Sequence, residues 1–123
     1  MDILAALASL TALTTFAVHT FAGGPVVARP LLADTHLPPE SKWLNYYCWH
    51  ITTVLLAFMA VGFAAAAWSA TYAVYLVFLA PLALTLSALS VWVALKGRIA
   101  PWRLPSTSMF ALTGLLGLGA ALT

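Results

Sequence analysis

Two histidines, His19 and His50, stand inside stretches of sequence that are otherwise apolar, and the chain's single cysteine, Cys48, lies two positions before the second of them. An ionisable ring in an apolar helix marks a functional site by default, because burying it unpaired costs several kcal/mol by rough estimate. Thr11, Thr15 and His19 recur every fourth residue and share one helical face. Tyr46, His50 and Thr53, spaced by four and three, share another. Neutral imidazole ligates zinc, copper or haem iron, and two facing histidines at one depth would suit a b-type haem or a transition metal. Cys48 and His50 diverge by about 200° on a helix, so a joint Cys-x-His site requires unwinding there. No carboxylate lies within the apolar stretches to finish a harder metal site, and no third acid orients a Cys48–His50 nucleophile. The bland alternatives are hydroxyls bonded to their own helix and a histidine bonded to a carbonyl on the next.

The elements that hold these residues follow from composition. Of 123 residues, 63% are hydrophobic and 7% charged, against about a quarter charged in soluble domains. Such a chain needs lipid as its solvent, and its length allows one domain over 1–123. A net charge of +2 gives no footprint for nucleic acid. Four apolar segments stand out, at about 3–22, 44–66, 71–95 and 106–122. They predict an all-α, polytopic transmembrane four-helix bundle. Met1-Asp2 carries no cation ahead of the first segment, so it reads as an uncleaved span rather than a signal peptide.

Gly23-Gly24-Pro25 is expected to end the first helix. The following stretch to Lys42 mixes charge with Val26, Val27, Leu31, Leu32 and Leu37, which suits a segment lying along the headgroups, with His36 solvated. Pro38-Pro39-Glu40 is a helix start. The Trp43, Tyr46, Tyr47 and Trp49 cluster fits an aromatic belt at the membrane surface. Trp68-Ser69-Ala70 is a link short enough to make the second and third helices antiparallel neighbours. Pro81 predicts a kink, with Thr85 placed to help satisfy the freed backbone. Gly114, Gly117 and Gly119 leave the last helix a thin face that another helix can approach.

All five cations, Arg29, Lys42, Lys96, Arg98 and Arg103, fall in the first and third loops. With Trp43 and Trp102 they form the expected headgroup contacts. By the positive-inside rule both loops are cytoplasmic and both termini non-cytoplasmic. His19, Cys48 and His50 then share one leaflet, His19 about three residues (~4–5 Å) from its helix end and His50 about six (~9 Å) into its own.

The short motifs His19-Thr20-Phe21-Ala22-Gly23-Gly24-Pro25, Arg29-Pro30-Leu31-Leu32, Tyr46-Tyr47-Cys48-Trp49-His50 and Pro101-Trp102 are spread along most of the chain. In them the chain resembles a group of small, uncharacterised four-span proteins of alphaproteobacterial inner membranes. The resemblance implies a bacterial inner-membrane address and no particular activity. The small multidrug-resistance exporters are similar in size only, since their carboxylate within the first helix is missing here, and the polar track of the small fluoride channels has no match. The leading expectation is therefore a non-enzymatic helix bundle in the lipid bilayer. It would act through contacts with other membrane helices, as a homo-oligomer or an accessory subunit of a larger complex. The alternative is a haem-, metal- or small-ligand-binding bundle using His19 and His50, with Thr15, Tyr46 and Thr53 around them.

Overall fold

A computed structural model describes all 123 residues. The chain is helical without strands. Three helices are long and apolar enough to cross a membrane: α1 (Ile3–Ala33), α2 (Pro39–Trp68) and α3 (Val74–Lys96). These point to an integral membrane protein. The fourth, α4 (Pro105–Ala121), has 17 residues, or about 25 Å at 1.5 Å per residue. Single turns of tighter helix, Ala70–Tyr72 and Pro101–Arg103, precede α3 and α4.

The expected stop at Gly23-Gly24-Pro25 does not occur. Instead α1 widens into a π-helix over Val18–Ala28 and returns to α-helix at Arg29–Ala33. In an α-helix the ring of Pro25 would strike the carbonyl four residues back. In the wider winding bonds run to the fifth residue back, as when the Arg29 N–H donates to the Gly24 carbonyl. The headgroup segment expected over 23–42 thus shrinks to a short link after Ala33. There the Asp34 carboxylate accepts from the His36 and Leu37 N–H groups at 2.6 and 3.1 Å. The Lys42 ammonium donates to the Leu32 carbonyl at 3.2 Å, closing the end of α1. His36 is exposed, as expected. Pro38 caps α2, with Pro39 and Glu40 in its first turn, so α2 begins five residues earlier than its apolar stretch.

The main helix contacts are α1 with α2 and α4 and α3 with α4 and α2, the α2–α3 contact being the sparsest of these. The faces that meet are built from small residues, which lets backbones approach where water gives no drive to associate. On α1 these are Ala5, Ala8 and Ala12, and they face a stripe of α2 containing Leu56, Met59, Ala60 and Phe63. Gly117 is buried: a Cβ there would lie 2.6 Å from a ring carbon of Phe63 and 3.1 Å from the Ala80 Cβ. Gly114 is pressed on Leu84 in the same way, at 2.7 Å. The thin face of the last helix is therefore used inside the chain, against α2 and α3.

Hydroxyls tie the helices together. Ser9 donates to the Ala60 carbonyl at 2.8 Å and Ser87 to that of Thr107 at 2.7 Å, while Ser90 bonds Ser106 and Thr107, each at 2.8 Å. Pro81 leaves α3 unbroken. The Thr85 hydroxyl donates to the Pro81 carbonyl at 2.9 Å, not to the Val77 carbonyl that the proline deprives of its donor. At the end of α3, Arg98 rather than Gly97 takes the left-handed conformation, with φ 54°. Its N–H reaches Leu95, and that of Ile99 reaches Ala94, the bond pattern that usually places glycine at Arg98's position. Large apolar side chains such as Phe58, Val61 and Phe78 cover the outside, at 72%, 67% and 70% exposure.

Candidate functional site

The widened part of α1 exists where α2 presents an indole. Trp49 belongs to the inward stripe of α2 that continues through Leu56 and Phe63, seven residues, or about two turns, per step along one face. Its ring stacks on His19 with centroids 3.9 Å apart and planes 22° from parallel. A Cβ on Gly23 would lie 2.8 Å from Cη2 of the same indole. Trp49 is thus seated across His19 and Gly23, one turn apart on α1.

His19 also bonds α2 directly. Its Nε2 lies 3.1 Å from the Trp49 carbonyl. A carbonyl only accepts, so this nitrogen carries a proton and donates it. The same carbonyl accepts from the Thr53 hydroxyl at 3.2 Å. Thr15, buried on α1, donates to the Thr11 carbonyl at 2.7 Å, and Thr11 donates to that of Leu7 at 2.8 Å. The threonine stripe is therefore bonded within its own helix.

Thr15, His19 and Trp49 line a cleft of about 470 Å³ between α1, α2 and the start of α4. Its other polar walls are Thr52, Ser106 and Arg103, the only charged residue that lines it. Apolar walls come from Val18, Ala22 and Val26 on one side and Met109 and Phe110 on the other. Val26 and Val27, at its margin, are exposed on the outside of the molecule.

His50 lies elsewhere. It is exposed on the outer face of α2 and lines a separate depression with Tyr47, Ile51, Val54 and Phe58. Its ring meets Tyr46 edge-on, centroids 4.5 Å apart. Of the residues singled out by spacing, the structure joins His19 with Thr15 at one cleft and His50 with Tyr46 on another surface. Thr53 is bonded to the backbone between them. No three His, Cys, Asp or Glu side chains gather as a metal-binding group, and Cys48 is free and exposed.

Three residues of the cleft escape a reading by motif. Trp49 is masked by its aromatic neighbours, although its register with Leu56 and Phe63 marks it as inward. Gly23 reads as a stop signal, yet it follows His19 by four residues and opens room for the indole. Arg103 is indistinguishable in sequence from the other loop cations, and only the fold brings it to His19's side of the molecule. No family model, curated protein or solved structure matches this chain.

Proposed function

We propose that this chain is a non-enzymatic membrane-embedded helical protein that works through contacts with other membrane helices, as a homo-oligomer or an accessory subunit. One observation carries this reading: His50, inside the apolar sequence of α2, faces outward on the surface. Ionisable side chains in spans face the protein interior or pair with a partner, because hydrocarbon solvates them poorly. The Tyr46 ring covers one edge of His50 and leaves the rest of it open to a neighbour. Around it, Ile51, Val54 and Phe58 form an apolar surface suited to a second helix. His19, by contrast, is occupied in joining α1 to α2, which favours a structural role over a catalytic one. A transmembrane four-helix bundle in a bacterial inner membrane, with both termini outside the cytoplasm, is the setting that the charge pattern and the sequence resemblance support.

The test is Val54→Cys in a Cys48→Ser background, oxidised in native membranes. Crosslinking to itself or to a recurrent second protein, together with oligomers in native mass spectrometry, is the expected result. A clean monomer by both methods removes the reading.

A second reading, a small-ligand site, is favoured by the cleft at His19. Its volume falls in the ordinary range for ligand pockets, about 300–1,000 Å³. In this form the ligand meets His19 and Thr15 but not His50, so a haem held between the two histidines requires α2 to rotate. An absorption spectrum and elemental analysis of protein from its native host test the haem and metal versions.

A further inference from the structure

Resting on the ligand reading of the cleft, and independent of the α2 contact, we propose that the cleft binds an anionic phospholipid, with its phosphate at Arg103 and an acyl chain between α1 and α4. Three observations meet here. Arg103 is exposed and has no acidic partner; the chain's single contact between a basic side chain and a carboxylate is His36–Asp34, at 3.7 Å in the first loop. No carboxylate lines the cleft, so an anion entering it meets one full positive charge and no repulsion. Arg103 stands two residues before α4, whose start has no side-chain cap, so the field of that helix adds to the guanidinium's.

The apolar walls decide what kind of anion fits. Val18, Ala22, Met109 and Phe110 offer a phosphate nothing, whereas they match a hydrocarbon chain. Val26 and Val27 open the margin onto the lipid-facing side, so the occupant enters from the bilayer. Guanidinium and phosphate pair through two parallel hydrogen bonds, which gives this position a preference over the point charges of lysine. The thin polar rim of Ser106 and Thr52 suits the glycerol ester region between the two.

Native mass spectrometry of protein reconstituted with equal amounts of phosphatidylglycerol and phosphatidylcholine tests this. The wild type retains one phosphatidylglycerol in preference to phosphatidylcholine. Arg103→Gln lowers that retention about fivefold, the size expected for one cation at an anionic surface. Arg98→Gln, the same charge change in the same loop but off the cleft, leaves it intact. Equal loss in both variants, or equal retention of the two lipids by the wild type, overturns the proposal. So does displacement of the lipid by glycerol phosphate alone, which would make this a soluble-anion site. If Arg103→Gln fails to fold, Met109→Trp fills the apolar wall with the charge kept, and undiminished phosphatidylglycerol retention then overturns the proposal as well. None of these outcomes bears on crosslinking through Val54→Cys, so the two proposals fail separately.

Discussion

The Trp49 carbonyl accepts from two side chains, His19 of one helix and Thr53 of its own, and the Trp49 ring lies against His19 as well. An imidazole that donates from Nε2 and stacks through its face joins two helices without needing a charge. That arrangement makes the His19–Trp49 pair a stability determinant. In a double-mutant cycle of His19→Ala and Trp49→Ala, unfolded by denaturing detergent, the coupling is expected at about 0.6–1.7 kcal/mol, the span seen for polar contacts between membrane helices. Coupling near zero would show that the two residues merely sit side by side. His50→Ala serves as a contrast, because its ring packs edge-on against Tyr46 of its own helix and is exposed. It is expected to cost isolated protein little and to weaken assembly instead.

At the scale of the helix, α1 shows how tertiary fit overrides local signals. Glycine and proline together announce a stop, and each does so for a sound reason: freedom of φ in one, a missing N–H in the other. A helix wound wider removes the proline clash, and the glycine then serves close approach instead of chain reversal. The two glycines should therefore respond oppositely. Gly23→Ala places a methyl 2.8 Å from the Trp49 ring, while Gly24 has nothing within 4 Å of its added Cβ. Gly24→Ala is expected to stabilise by about 0.5–1 kcal/mol through helix propensity, and Gly23→Ala to lose that gain and more by displacing the indole. Equal thermal shifts in the two variants would mean that the indole is not seated as described. The apolar segments were legible in the sequence because a lipid solvent demands unbroken hydrophobic runs. The true ends of α1 and α2 were not, because α1 keeps going past its breakers and α2 begins in polar sequence ahead of its apolar run. Likewise spacing joined Thr15 to His19 and Tyr46 to His50, since each pair lies on one helix. That the two pairs occupy different surfaces depends on how α2 is rotated, which Trp49 decides.

For the whole molecule, the fold gathers what the sequence distributes. The Asp2 N–H donates to the Ala67 carbonyl at 2.9 Å, and Gly119 lies against Leu4, so both termini share an end with the turn between α2 and α3. Arg103 lines the same cleft as His19, which puts the first and third loops, and all five cations, at the opposite end. At 31 residues, α1 is at most about 46 Å long, its π-helical part rising less per residue, against a hydrocarbon core of about 30 Å. That length leaves its final turns, with Arg29, free to extend past the core toward the end where Lys42 bonds Leu32. Translocating the first link with the helix ends that flank it would carry two cations, Arg29 and Lys42, across hydrocarbon, and the third loop three, at about 2.5–3.5 kcal/mol each on insertion scales. The opposite end carries only Asp2, the other two acids, Asp34 and Glu40, lying at the basic end, and acids contribute little to orientation. The expected topology is both basic loops in the cytoplasm and both termini outside it. A fluorescent reporter that matures only in the cytoplasm should be dark when fused after Thr123 and bright when inserted between Lys96 and Arg103. Replacing all three cations of the third loop by glutamine should weaken that bias and yield mixed signals. A bright Thr123 fusion in the unaltered chain would invert the molecule, and it would place the Arg103 cleft in the opposite leaflet from the anionic cytoplasmic surface that best supplies its lipid.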